Sequence, residues 1–591
     1  MDLLEINIIN MTSATTMKMI DALDNVNYEN KQITENGHFA YGWSKDTRIC
    51  VKSVQESIVQ LYFQCVLEKD PSQTSVKDLQ TKYIQLFDKV NNLQDDENWE
   101  TYIGYLIRLA LQTRDIISGK GMCNMAYHMF EVIAYHVYEK DTISREFYMN
   151  MFKRILNENE GNHPLGSWKD LKHFLHHLMG SENLEFQDKH TMIQDHIVHL
   201  YVDQMVDDRK AMSVGESISL CGKWLPRESS KKHKWLARSV ARSYYNHVFC
   251  ELPEKSSIYS QHYREICSKF NKYLDTTQIQ MCRRTWENID FDKVTALTLH
   301  KFKDAFLNKK CINEEHRNIC RDNLLNYVAE KAERGESLKA KVMFPHQLVS
   351  SIIHTSAALD DTSRDIVNLQ WKGLLESVNQ TGSGFLEKCI PCIDVSPSMY
   401  HMNPLPLHAA IGMGLMAMEC STNNRAFTFS ETPEWIVFDD MKIPFHEKVQ
   451  KIAKSEWGGT TDIYSMFQMM LKVCVSNKVS NEDVGSYSLF IFSDMQFNAC
   501  YHGDENSLME NVHKMYAVEG YTNIPYIIFW NLRSTNNFPT ISKTPGCTKL
   551  SGNSASLFKF FMNTSIDEIK TMTNWTLIKS ILDNKRYSIK S

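Results

Sequence analysis

The chain has 591 residues, 43% of them hydrophobic and 23% charged, and a formal net charge of −6. Those proportions exclude a mainly disordered chain, a collagen-like or coiled-coil rod and a polycation, so any nucleic-acid site must be a local patch. At roughly 100–200 residues per domain, the length fits about three domains, or one long helical array plus one further domain.

No segment reaches the roughly 18 apolar residues of a membrane-crossing helix. The longest clean run, Ala409 to Met418, lies inside a folded-domain pattern. The acidic start, Met1-Asp-Leu-Leu-Glu5, lacks the basic region of a signal peptide. The 15 cysteines are scattered and odd in number, as expected for reduced thiols. These features predict an intracellular, cytoplasmic setting and no membrane partner. Abundant Asn, Lys and Ile beside 23 Gly and 14 Pro suggest an AT-rich coding genome, a microbe or a large virus. For a viral protein, the virion is the alternative location.

Residues 1–45 read as an N-terminal extension, with polar Asn27 to Gly37 as a loop. Residues 46–380 read as a helical-repeat domain. Val51 to Leu67, Trp99 to Arg114, Asn124 to Tyr138, Lys169 to Met179 and His190 to Val206 each place apolar residues at i, i+3, i+4 and i+7. Short breaks fall at Ser118 to Gly121, Gly161 to Pro164 and Leu252 to Glu254. Serial helices with short turns predict an α-solenoid or bundle, HEAT-like but without a fixed period.

The texture changes near Thr381 to Gly384, which reads as a linker. In residues 385–591, apolar strand-length runs (Cys389 to Val395, Ala426 to Ser430, Ser488 to Phe492, Ile524 to Trp530) alternate with helical stretches. The stretches are Pro404 to Glu419, Val449 to Lys454, Ile463 to Val475 and Trp575 to Leu582. This alternation predicts a doubly wound α/β domain with a parallel sheet. The fold class expected for the whole is therefore multidomain, α plus α/β.

The sharpest motif is Asp394-Val-Ser396-Pro-Ser398, between an apolar strand and a helix. In an open α/β sheet this is the carboxyl end of a strand, where ligands bind. One carboxylate and two hydroxyls on a tight turn are hard oxygen donors suited to Mg2+ or Mn2+. Gly458-Gly-Thr-Thr461-Asp462 precedes another helix, and Asp494 ends another strand. Either could complete the same site. Asp394 and its serines could also simply cap the helix that follows.

Together the three segments resemble the metal-ion-dependent adhesion site of von Willebrand factor A domains. The resemblance implies Asp394, Ser396, Ser398 and Thr461 as ligands, with Thr460 the alternative to Thr461, and Asp494 as a direct or water-mediated ligand. It also implies an open position for an acidic side chain of a protein partner. Pro397 stands where that family often has Gly.

Upstream, Arg114-Asp-Ile-Ile-Ser-Gly-Lys-Gly121, Gly166-Ser-Trp168-Lys-Asp170, Gly222-Lys-Trp224-Leu-Pro226 and Trp371-Lys372 join with Ser493-Asp-Met-Gln-Phe497. This set resembles a family of uncharacterised proteins from plants, fungi and large DNA viruses, along nearly the whole chain. The architecture is similar to the Ro autoantigen family, in which a helical TROVE ring binds small RNAs. That likeness implies an RNA-binding, TROVE-like helical region.

The best basic patch is Lys231, Lys232, Lys234, Arg238 and Arg242, the last three at i, i+4 and i+8. Tyr244 and Tyr245 follow. Such a face can track a phosphate backbone and stack bases, or merely be solvated. Arg283-Arg284 and Lys309-Lys310 are weaker candidates. Arg114, Lys120 and Gly121 could form a phosphate-holding turn, although no Walker A loop is present, or a plain helix-to-helix turn. Cys389-x-x-Cys392 reads as buried structural cysteines, and His173, His176, His177, His196 and His199 as surface or partly buried histidines.

No nucleophile–base–oxyanion set assembles in the sequence. The expected function is non-enzymatic binding: RNA or a ribonucleoprotein on the helical region, and Mg2+ with an acidic protein ligand on the α/β domain. The alternative is a metal-dependent protein–protein scaffold without RNA, for example in a viral particle. A metal-dependent phosphate hydrolase, with Asp462 or Asp494 as base, is a third class.

Overall fold

The computed structural model describes residues 30–589, apart from residues 35, 68–72, 94–95, 139–142, 157–162, 181–189, 354–359, 379–384, 402, 422, 441, 456–457, 499–506 and 542–543. The linker expected at Thr381 to Gly384 lies outside the described residues.

A short antiparallel hairpin comes first, β1 (Lys31–Ile33) and β2 (Phe39–Tyr41). It occupies part of the stretch whose polarity suggests a loop. Helices then follow almost without interruption: α1 (Val51–Gln64), α2 (Gln73–Asn91), α3 (Asp96–Arg114), α4 (Cys123–Tyr138), α5 (Arg145–Leu156), α6 (Lys169–Met179), α7 (His190–Ser213), α8 (Cys221–Trp224), α9 (Lys234–Phe249) and α10 (Ser256–Leu274). The series continues through α11 (Thr277–Arg283), α12 (Ala296–Phe306), α13 (Glu315–Glu333), α14 (Pro345–Ile353) and α15 (Asp361–Val378). Each expected helix is present. The one starting at His190 runs seven residues past the expected Val206, because Asp203, Asp207 and Lys210 extend a helix whose outer face is solvated.

The second part interleaves β3 (Cys389–Asp394), α16 (Pro406–Cys420), β4 (Arg425–Phe429), β5 (Glu434–Val437), α17 (Phe445–Ala453), α18 (Ile463–Ser476), α19 (Asn481–Ser486), β6 (Ser488–Ser493), α20 (Leu508–Val518), β7 (Tyr526–Asn531) and β8 (Cys547–Ser551). Three short helices close the chain, α21 (Phe558–Met562), α22 (Ile566–Thr571) and α23 (Asn574–Leu582). The sheet order is β5-β4-β3-β6-β7-β8. The sheet is mixed rather than wholly parallel: β5 returns antiparallel along β4 and forms the edge, while the other neighbours run parallel. β5 is not marked in the sequence because its four residues do not alternate: Glu434 and Trp435 are both exposed, Ile436 is buried and Val437 half-buried, so the period of two that identifies a half-buried strand is missing.

Both faces of the central strands are covered. Ile393, Phe490, Phe492 and Ile528 face the core that contains α16, and Cys392, Leu489, Ile491 and Ile527 face the core that contains α18 and α20. The alternation is the period of two of a β-strand. Cys389 and Cys392 fall on opposite faces and are both free and buried.

The helical part and the sheet part share the first of these cores, which runs from α1 through α14 into α16. A Cβ on Gly412 would stand 2.6 Å from the Pro345 side chain, so α14 and α16 approach as closely as backbones allow. Trp371 of α15 stacks on Phe445 of α17 at 4.0 Å and donates to Glu419 at 3.0 Å, where Lys448 pairs at 3.1 Å.

The turn after α3 ties the two parts together. The Arg114 guanidinium forks onto Asp170 at 2.9 and 2.6 Å, both groups buried. Asp115 takes Arg586 from the chain's end at 2.6 and 2.7 Å. Lys120 is buried, and its ammonium reaches Cys65 O at 2.7 Å, Ser551 Oγ at 2.6 Å and Tyr62 O. Gly121 has φ +67, which a side chain would strain. Arg114, Lys120 and Gly121 therefore form a structural turn and not a phosphate cradle, because the two cations already have buried oxygen partners.

Candidate metal centre

β3 leads down one side of the sheet through β4, and the chain then crosses back to lay β6 on the other side of β3. The C-terminal ends of β3 and β6 thus form the topological switch point of the sheet, where open α/β folds bind ligands. Asp394 is the last residue of β3, and Asp494 follows the last residue of β6.

Asp394 is fully buried. Its Oδ1 accepts from the Ser396 N–H at 3.0 Å and its Oδ2 from the Ser493 hydroxyl at 2.6 Å. Ser396 Oγ lies 3.1 Å from Ser398 Oγ, and the Ser398 hydroxyl in turn bonds Asp494. Pro397 opens a single 3-10 turn, Pro397–Tyr400, where its fixed φ suits the turn and its missing N–H costs nothing. The departure at this position therefore leaves the turn intact.

Asp494 accepts from the Gln496 N–H at 3.1 Å and from Arg533 Nη1 at 3.2 Å. Met495, buried beside it, sits at φ +62, a left-handed conformation uncommon for a side-chain-bearing residue. That bend turns the chain so that Asp494 and Gln496 both meet the site. Burial raises the pKa of Asp394, the nearby Asp494 charge adds to it, and together they push it to about 7. Burial also raises Asp494, and the Arg533 charge opposes that shift.

Thr461 is buried and Thr460 exposed. Asn36, in the turn between β1 and β2, links Thr461 to the Asp494 loop: its Nδ2 donates to Gln496 O at 2.6 Å and lies 3.5 Å from Thr461 Oγ1. Asn498 N–H donates to Thr461 O at 2.9 Å. Gly458 is required where it stands, since a Cβ there would come within 2.2 Å of Glu431 Cβ. Asp462 caps α18 through the Ser465 N–H at 2.9 Å.

The chemistry of this set fits a hard divalent cation. All five donors are oxygens. The buried Asp394 carboxylate takes its hydrogen bonds from neutral groups and faces a second carboxylate, an arrangement whose repulsion a cation would relieve. Asp394, Ser396, Ser398, Thr461 and Asp494 are the residues that could hold it. Asn36, Ser493 and Arg533 also belong to the site and are not visible in the motif. Ser493 and Arg533 carry a faint signal, as polar residues closing or following apolar strands. Asn36 carries none, being more than 350 positions from Asp394 in the chain.

The basic patch lies apart, at α9. Lys231, Lys232, Lys234, Arg238 and Arg242 are exposed. α9 holds no acidic residue, and among the described residues the five form no ion pair. Tyr244 is buried and unavailable for stacking; Tyr245 is half-buried against Phe249 at 4.4 Å. Arg283 pairs with Asp275, and Lys309 with Asp304 and Asp360. Among the described residues, no helix is long and apolar enough to cross a membrane.

Residues 388–586 match a family described as "Domain of unknown function (DUF7788)", and residues 179–383 match one described as "Domain of unknown function (DUF2828)". The chain is also 26% identical over 496 residues to "Uncharacterized protein L728" of Acanthamoeba polyphaga mimivirus, covering 82% of this chain and 79% of that protein. The two parts are thus each similar to a family of unknown function, and most of the chain is similar to an uncharacterised protein of a large virus.

Proposed function

We propose that this is a non-enzymatic binding protein whose α/β part holds Mg2+ (or Mn2+) in the manner of a von Willebrand A adhesion site. The observation that carries this reading is the meeting of Asp394, Ser396, Ser398 and Asp494 at the switch point of the sheet. Bound there, the cation would supply an electrophilic position for a carboxylate. Asp394 and Asp494 would neutralise it, the two serines and Thr461 would orient it, and Asn36 would hold Thr461 against the third loop. A hydrolase reading draws less support, because Asp462 is engaged at a helix cap and Asp494 by Arg533.

The helical part, on this proposal, binds RNA or a ribonucleoprotein through Lys231, Lys232, Lys234, Arg238 and Arg242. The support is the exposure of these cations on and beside a helix without acidic residues. A TROVE-like RNA-binding role belongs to this proposal.

The test is to isolate the protein from its native source and wash it separately with EDTA and with high salt. RNA released by salt, together with a protein released by EDTA, is the expected result. A protein released by EDTA with no RNA retained would favour the scaffold without RNA. Retention of neither would overturn the proposal.

A further inference from the structure

We propose a second metal site, for Zn2+, in the helical part, formed by His128 and Glu131 of α4 and His177 of α6. His128 and Glu131 stand at i and i+3, so they share one face of α4. His177 meets them from the facing helix: its Nε2 lies 2.9 Å from Glu131 Oε2, and its ring centroid 4.2 Å from that of His128. One donor atom from each of the three lies within 4.8 Å of the others. Two donors held at about 2.0–2.1 Å in a tetrahedron stand about 3.3 Å apart, so small side-chain rotations close the set around an ion.

Gln80 of α2 supports two of the three. Its Oε1 lies 2.9 Å from His128 Nδ1, and its Nε2 donates to Glu131 Oε2 at 3.1 Å. Ligand histidines and carboxylates need such outer partners, which fix ring tautomer and orientation. Glu131 is buried while both histidines are partly open, so the site has a path to solvent. Two imidazoles and one carboxylate select zinc over magnesium, and three protein ligands leave a fourth position open. His190, at the start of α7, is near enough to feel the charges of Glu131 and His177. This site shares no residue with the oxygen site at β3 and does not depend on it.

The experiment uses full-length, tag-free, chelator-treated protein titrated with Co2+, whose tetrahedral complexes absorb strongly in the visible. The expected result is tetrahedral bands that saturate at one equivalent, are bleached by Zn2+ and are unaffected by Mg2+. Glu131→Gln and His177→Gln should each lose the bands, and Asp394→Ala should keep them. Circular dichroism identifies any variant that has lost its helices, and the unmutated protein alone still decides. Absence of tetrahedral bands there, or bands that persist in both folded variants, would overturn the site.

Discussion

The guanidinium of Arg533 lies 3.2 Å from the Asp494 carboxylate, so one of the two buried acids at the switch point has a cation of its own while Asp394 is held by a serine hydroxyl and a backbone N–H. The positive charge of Arg533 should therefore oppose a divalent ion in the site. A unit charge and a divalent ion at about 6 Å in an effective dielectric of about 40 repel by about 2.8 kcal/mol, or about a hundredfold in affinity. Arg533→Gln is expected to tighten Mg2+ binding by up to roughly a hundredfold, measured by calorimetric titration. Weaker binding in that variant would mean that Arg533 builds the site instead of competing with its ion.

The Arg114–Asp170 pair should matter to the fold and not to the metal. Burial alone would raise the Asp170 pKa, but Arg114, the Tyr127 hydroxyl and the Ser167 N–H outweigh it and hold the pKa below its ordinary 3.8. A carboxylate with a depressed folded pKa stabilises above its unfolded pKa and loses that contribution as pH falls through the folded one. Asp170→Asn is thus expected to cost about 3–5 kcal/mol near neutrality and to flatten the acid limb of the stability curve below about pH 4. Urea unfolding against pH measures both. A variant as stable as the parent would show that the buried pair is dispensable.

The basic face predicts a salt dependence. On single-stranded RNA, each neutralised phosphate contributes about −0.7 to the slope of log K against log salt. Lys234→Gln with Arg238→Gln should make that slope shallower by about 1.4, measured by fluorescence anisotropy. An unchanged slope would place any RNA contact elsewhere on the molecule.

Much of this architecture is legible in the sequence, for identifiable reasons. Long amphipathic helices such as α3 and α6 carry three or more turns of periodic signal, so both their type and most of their limits can be read. β3, β6 and β7 are buried on both faces and show as unbroken apolar runs. β8 does not, because Lys549 is buried in it, its ammonium donating to Thr540 O at 2.8 Å. A buried lysine with a local carbonyl partner looks, in sequence, like a solvent residue. Lys120 misleads in the same way, suggesting an anion site where it satisfies the end of α1. Tyr244 misleads by position, since the end of α9 turns it inward. Asn36 shows the limit of motif reading: a hairpin remote in sequence supplies a contact that no local pattern encodes.

The most direct test of the central claim is Mg2+-dependent stabilisation of the parent chain beside Asp394→Ala. A ligand at about 100 times its Kd adds about 2.7 kcal/mol to folded-state stability. The parent should gain roughly that amount when Mg2+ is raised to this level, and lose it on adding EDTA. Asp394→Ala, folded by circular dichroism, should gain nothing. An equal Mg2+ response in the variant, or none in the parent, would contradict the site at the end of β3.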